Sequence, residues 1–227
     1  MSVGKCEQTK TSRNNGRLTA ARIAYWYFRL NGFLNIENFV VHPSDREARK
    51  QPGQKTEADL FGVRFPYRRE PGMKDDGAFE GIRTKPLFVI AEITKGPCKL
   101  NGPWTKPERK NMEYILEAIG AFPLDRQTEV ATSLYEHCVY PHGDGKQCEV
   151  RFIAVGKERD TDLEKQYPAL MQITLVSILE FIYERFKAYR ARKKDHSQWD
   201  DSGQELWDKF EKAHDSAAFA TVILKTV

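Results

Sequence analysis

The chain has few of the features that mark secreted, disulfide-stabilised or membrane-spanning proteins. Only four of its 227 residues are cysteines, which are too few for a disulfide framework in a chain of this length. No apolar run approaches the roughly 20 residues that span a bilayer, and residues 1–8 contain no apolar signal core. We therefore expect a cytoplasmic protein that is neither secreted nor inserted into a membrane.

Excess charge of one sign is also missing. The 36 basic and 32 acidic side chains leave a net charge of only +4, which permits nucleic-acid binding without requiring it. Any basic surface must therefore come from local clustering. The most basic cluster, residues 185–194, ends a predicted helix. It either contacts phosphate or complements the helix macrodipole.

Two of the cysteines flank a histidine. Cys138, His142 and Cys148 are three potential zinc ligands, but no tight C-x-x-C pair accompanies them. Two interpretations stay open, a zinc site or reduced thiols in a hairpin or loop, and the spacing favours the thiols.

Hydrophobic periodicity predicts one α/β domain over residues 17–227, preceded by a flexible segment at residues 1–16. Helices are predicted over 17–30, from a capping box at 105–108, over about 170–194 and around 205–213. Strands are predicted over 34–42, 57–65, 87–94, 149–156 and 219–224. The run 87–94 is apolar on both alternating faces, as is typical of a central strand. The order of these elements predicts a mixed central β-sheet flanked by helices.

Two acids occupy positions that suit a metal site. Glu92 closes a fully apolar run, and Asp59 lies in an earlier extended stretch. If the two strands are neighbours, both carboxylates and the backbone carbonyl of Ile93 present oxygen to one cation. Carboxylate oxygens are ligands that Mg²⁺ prefers, and an ammonium from Lys95 or Lys99 can steady an attacking water or phosphate charge. The pattern predicts a Mg²⁺ or Mn²⁺ site.

This arrangement resembles the PD-(D/E)XK nuclease superfamily, which includes restriction endonucleases and DNA-repair nucleases. The resemblance covers roughly residues 17–192: a helix, an extended segment bearing Asp59, a hydrophobic strand ending in Glu92, a helix and a further strand. It implies a restriction-endonuclease-like fold with Asp59 and Glu92 as metal ligands and Lys95 as the catalytic lysine. The implied activity is hydrolysis of DNA phosphodiester bonds, with a homodimer if both strands of a duplex are cut.

One position departs from the family pattern. The family places a lysine two positions after the acid, where this chain has Thr94, and Lys95 follows one place late. A bulge before Gly96 would turn Lys95 back toward the acids. Alternatively, Lys99 or Lys157 fills the role, or catalysis has been lost and the fold only binds nucleic acid or a protein partner. A third interpretation is a small α/β structural protein.

The candidate residues also have ordinary structural interpretations. Asp59 would then form an ion pair with Arg64 or Arg68, and Glu92 would be a solvated strand end. The candidate catalytic lysine would be a surface side chain. The sequence favours core packing over base stacking for Trp104, which follows a Gly-Pro turn.

Overall fold

The structure, a computed structural model, describes residues 18–42, 56–68, 70, 74–80, 84–141, 147–190 and 199–227. The flexible segment predicted at residues 1–16 and the potential zinc ligand His142 lie outside these ranges. Within them the chain forms six strands and seven α-helices.

The strands are β1 (Leu34–Val41), β2 (Thr56–Arg64), β3 (Leu87–Ile93), β4 (Val139–Tyr140), β5 (Glu149–Gly156) and β6 (Met171–Thr174). The helices are α1 (Ala20–Leu30), α2 (Asn111–Ile119), α3 (Leu124–His137), α4 (Thr161–Gln166), α5 (Leu175–Arg190), α6 (Asp201–Lys212) and α7 (Ser216–Leu224). Single 3₁₀ turns lie at Gly77–Phe79, Gly102–Trp104 and Pro107–Arg109.

The six strands form one mixed sheet. Its order is β1-β2-β3-β5-β4, and β6 also pairs with β5. The β3–β5 and β5–β6 pairs are parallel, and the remaining pairs are antiparallel. The predicted α/β fold, with a mixed central sheet flanked by helices, is confirmed.

Helices cover both faces of the sheet and divide the core in two. One core lies on the side of α1, α5, α6 and α7, which we call the α1 face. The other lies on the side of α2 and α3, the α2 face. Successive strand residues point to opposite faces, so Val89 and Ala91 belong to the first core and Ile90 to the second. Glu92 follows Ile90 by two positions, which directs its side chain to the α2 face.

The capping box predicted at residues 105–108 does not open a long helix. Lys110 adopts a left-handed conformation with a φ of 56°, which separates the 3₁₀ turn Pro107–Arg109 from α2. The helix α3 is absent from the predicted elements, because Pro123 suggests the end of the preceding helix. Pro123 instead occupies the N-cap of α3, a position that does not require its missing N–H.

Two further elements differ from their predictions. The helix predicted from about residue 170 begins as β6, because residues 171–174 pair in parallel with β5. The strand predicted over 219–224 is wrong, since these residues belong to α7. Asp215 caps that helix by accepting a 2.7 Å hydrogen bond from the Ala218 N–H. The buried residues Phe219, Ala220 and Ile223 follow helical spacing.

Candidate active site

The two predicted acids meet where β2 and β3 separate. The antiparallel ladder between these strands ends at the pair Leu60↔Ala91, and the next pair in the same register is Asp59 opposite Glu92. At this point the Ile93 N–H donates a 2.7 Å hydrogen bond to Asp59 Oδ2. The fold therefore brings Asp59 close to both Glu92 and the Ile93 peptide.

A backbone irregularity accompanies this separation. Asn38 of β1 is the position opposite Asp59, and it has a left-handed φ of 49°, which Asn tolerates better than most residues. Ala58 and Phe61 of β2 are three residues apart, yet both belong to the core on the α2 face. Regular alternation would put them on opposite faces. The strand therefore rotates around Asp59, as strands do at bulges beside functional sites.

Two side-chain N–H groups hold the carboxylate of Glu92. Glu92 is only 4% exposed; the Asn101 amide donates to its Oε1 and the Trp104 indole N–H donates to its Oε2 at 2.7 Å. The Trp104 ring packs against Phe152 of β5, with ring centroids 5.2 Å apart. This contact fits the predicted core packing of Trp104, and the burial shows that Glu92 is not a solvated strand end.

Asn101 and Trp104 were not predicted as site residues. A signal was present in the sequence, because the segment 101–104 places an amide and an indole in one tight turn soon after Glu92. A buried tryptophan usually requires an acceptor for its N–H. Glu92 is the acid that precedes this turn.

A cleft of about 330 Å³ opens above these groups. Burial and the neighbouring Asp59 carboxylate raise the pKa of Glu92 to about 7, against the opposing effects of the Trp104 N–H and of Lys99. Burial also raises the pKa of Asp59, although the Ile93 N–H works against this rise. Negative charge on both carboxyls is therefore unfavourable in this cleft. The residues that line the cleft are Thr56, Glu57, Asp59, Glu92, Asn101, Pro103 and Trp104.

The predicted catalytic lysine is not among the residues that line the cleft. Lys95 is exposed in the turn after β3. Thr94, at the motif position, donates its hydroxyl to the carbonyl of Pro97 at 2.8 Å. Lys157 is likewise exposed and outside the cleft lining. Lys99 is the lysine whose charge acts on Glu92.

One structural interpretation from the sequence is wrong. Arg64 lies five residues from Asp59 along β2, a distance of roughly 17 Å, and Arg64 and Arg68 both form ion pairs with Asp75. The Asp59 carboxylate is instead bound to the Ile93 N–H.

At the basic helix end, Arg185 is only 3% exposed and donates to a backbone carbonyl. Its guanidinium is therefore closed to phosphate, and residues 191–194 lie outside the described ranges.

Cys138 and Cys148 are too far apart to share a zinc ion. The Cys138 carbonyl accepts a hydrogen bond from the Phe152 N–H of β5, four residues beyond Cys148, which is roughly 13 Å along a strand. Both side chains are buried free thiols. Burial raises the pKa of Cys138 to about 12 and that of Cys148 to about 11. The geometry favours the interpretation as reduced thiols.

The cleft offers hard oxygen ligands in a number that suits magnesium. Among the described residues, no group of three or more His, Cys, Asp and Glu side chains is arranged to hold a metal ion. Mg²⁺ is commonly bound by one or two carboxylates, with water and phosphate oxygens completing its shell. Asp59 and Glu92 retain acceptor capacity, because a carboxylate has about four lone-pair sites. The Ile93 carbonyl points to the same strand edge as its N–H. This donor set fits Mg²⁺ or Mn²⁺.

Comparison of the chain with models of known protein families, with curated proteins and with solved structures gives no match. None of the helices in the described ranges is long and apolar enough to cross a membrane.

Proposed function

We propose that the cleft is the active site of a metal-dependent nuclease that hydrolyses DNA phosphodiester bonds, and that the domain is restriction-endonuclease-like. The observation that carries this proposal is the convergence of Asp59 and Glu92 at the point where β2 and β3 separate. Two like charges in a buried site repel each other, and a cation between them would relieve the repulsion. A cation would also allow an anionic phosphodiester to approach two carboxylates that otherwise repel it.

The residues around the metal site have separate roles in this proposal. Asp59, Glu92 and the Ile93 carbonyl would hold Mg²⁺ or Mn²⁺, which when bound polarises a phosphate oxygen and lowers the pKa of a water molecule. Asn101 and Trp104 fix the orientation of the Glu92 carboxylate through their N–H groups. A fixed carboxylate loses little conformational freedom when it engages a ligand.

We assign the positive charge of the site to Lys99 in preference to Lys95. Neither lysine lines the cleft, but the charge of Lys99 acts on Glu92 and works against the rise of its pKa. An ammonium at the mouth of the cleft would attract the phosphate and steady an attacking water. Lys95 keeps this role only if the turn after β3 changes conformation when DNA binds.

One observation favours a second candidate function, binding of nucleic acid or a protein partner without efficient cleavage. The motif position holds Thr94, whose hydroxyl is bonded to the carbonyls of Gly96 and Pro97. Thr94 has no charge and faces the turn, so it cannot replace a catalytic lysine. If Lys99 does not fill the role, the cleft would retain its acids but lose much of its activity.

The decisive experiment is nicking of supercoiled plasmid DNA in Mg²⁺ or Mn²⁺. We expect activity in the wild type, none in EDTA, and a loss of about a hundredfold or more in Asp59→Asn and Glu92→Gln. The matched control is Glu117→Gln, which removes the same charge from an exposed position on α2 and should keep full activity. Nicking that survives in both cleft variants would refute the proposal.

The same proteins also distinguish nuclease activity from binding without cleavage. A wild type that binds DNA in a salt-sensitive manner, yet leaves the plasmid intact in either metal, would support the second candidate. Cutting of both strands at one position would require two clefts, and for that reaction we propose a homodimer. Light scattering of the wild type with and without duplex DNA measures this assembly.

A further inference from the structure

Positive charge borders the acidic cleft. Lys99, Lys106, Arg109 and Lys110 are all exposed, and we call these four residues the basic rim. Glu108 is the single acid between residues 99 and 110. The segment therefore has a local excess of three positive charges, within a chain whose total excess is only four.

The first part of the basic rim is joined directly to the cleft. The charge of Lys99 acts on Glu92, and Asn101, Pro103 and Trp104 line the cleft. The Trp104 N–H bond to Glu92 fixes this stretch over the carboxylates.

The second part of the basic rim is folded back onto the same edge. The Arg109 N–H donates to the Lys106 carbonyl at 3.0 Å, which closes a 3₁₀ turn. Beyond it, the Asn111 amide donates to the Pro103 carbonyl at 2.9 Å. Lys106 therefore lies two residues after Trp104, and Lys110 directly precedes Asn111, whose amide is bound to the cleft-lining Pro103.

The basic rim combines four clustered cations with an absence of ion pairs in the described part of the chain. Among the described residues, no ion pair joins any of its four side chains to an acid. Several cations elsewhere on the described surface have an acidic partner, whereas Lys95, Lys157, Lys212 and Lys225 have none. The paired cations are Arg126 with Glu129, Arg159 with Glu164, Lys165 with Asp162, Lys187 with Glu184, Arg190 with Glu211 and Lys209 with Glu205. A cluster of cations without ion-pair partners is the electrostatic footprint of a polyanion site.

We infer that the basic rim binds the phosphate backbone of a nucleic acid and so lays the strand across the mouth of the cleft. This inference rests on the proposed function, because it locates the substrate of that function on the molecule. The basic rim attracts a polyanion, whereas the carboxylates of Asp59 and Glu92 repel it. The phosphate backbone of the nucleic acid is therefore held at the mouth of the cleft, and only the phosphate to be cleaved has to enter it. Contacts of this kind position a nucleic acid without reading its sequence.

The test compares two triple variants that lose the same charge. The rim variant is Lys106→Gln/Arg109→Gln/Lys110→Gln. The control is Lys187→Gln/Lys212→Gln/Lys225→Gln, whose exposed positions lie in α5, at the end of α6 and just after α7, on the α1 side of the sheet. Each variant has a net charge three lower than the wild type. Circular dichroism melting curves should be unchanged for both, since all six side chains are exposed.

Binding is measured by fluorescence anisotropy with a short fluorescein-labelled DNA duplex in EDTA, over a series of salt concentrations. We expect the rim variant to bind about tenfold more weakly or worse. Its slope of log affinity against log salt should fall by about 2 to 3, since each lost phosphate contact removes about 0.9. The control should stay within about twofold of the wild type and keep its slope. Equal weakening of both variants, or no binding by the wild type, overturns the inference.

The binding result and the cleavage result can fail independently. If the rim variant alone loses DNA binding while the wild type never nicks plasmid DNA in Mg²⁺ or Mn²⁺, the inference stands and the nuclease proposal fails. If the wild type nicks DNA and the rim variant binds and nicks it equally well, the nuclease proposal stands and the inference fails.

Discussion

Replacing Glu92 with glutamine should remove a pH-dependent part of the folding stability. Burial and the Asp59 charge raise the pKa of Glu92 from an ordinary 4.5 to about 7 in the folded protein without metal. Folding therefore favours the protonated carboxyl. The stability contributed by this group is fully present below pH 4.5 and is lost as the pH rises through 7.

The size of this effect follows from the difference between the two pKa values. A tenfold change in proton affinity corresponds to about 1.4 kcal/mol, so a rise from 4.5 to about 7 corresponds to on the order of 3 kcal/mol. The substituted glutamine would be uncharged at every pH and so lose this dependence. Its NH₂ group would also face one of the donors, Asn101 or Trp104, at a pH-independent cost of roughly 1–3 kcal/mol.

Urea denaturation in EDTA at several pH values between 4.5 and 8.5 measures the effect. The other titrating groups are common to both proteins, so the quantity of interest is the free energy of unfolding of the wild type minus that of Glu92→Gln. We expect this difference to fall by on the order of 3 kcal/mol from the acidic to the alkaline end. A difference that stays constant across the range would show that Glu92 is not buried beside a second negative charge.

Two further variants test the supports of the cleft. Trp104→Phe keeps most of the ring but removes the N–H that holds Glu92. We expect the Mn²⁺ affinity, measured by calorimetry, to fall by roughly tenfold or more. An unchanged affinity would contradict the orienting role of Trp104. Gly156→Ala would place a Cβ 2.5 Å from the Cys98 backbone nitrogen and 2.7 Å from the Gly96 carbonyl oxygen. Because backbone must move, we expect a loss of roughly 1–3 kcal/mol in thermal or urea unfolding, and an unchanged midpoint would show that this turn is loosely packed.

Much of the sheet could be predicted because its strands have strong local signals. The run 87–94 is apolar on both faces and became β3, and the similar run 149–156 became β5. The short strand β6 could not be predicted in this way. Its four residues lie beside a helical pattern, and they are extended because β5 offers them a free edge. Tertiary pairing overrides local periodicity in such segments.

The pairing of Asp59 with Glu92 could also be anticipated, because the two acids lie in consecutive predicted strands, Asp59 near the start of one and Glu92 near the end of the next. The local rotation of β2 could not, since it coincides with a left-handed residue, Asn38, in a third strand that has no signal in the sequence of β2. The same limit applies to the lysine. The spacing from Glu92 in the sequence favours Lys95. In the folded chain, however, the charge of Lys99 acts on Glu92. Which lysine approaches the acids is decided by turn geometry that a motif does not encode.

The carboxylate of Glu92 and both of its donors come from one short, contiguous piece of chain. The spacing is Glu, eight residues, Asn, two residues and Trp, a window of thirteen positions from 92 to 104. Assembly of this part of the site therefore needs only a local loop closure, which has a small entropic penalty. The window can also be written as a single linear signature. Any genome can be scanned for it without an alignment, with a strand-borne aspartate upstream as the only additional condition.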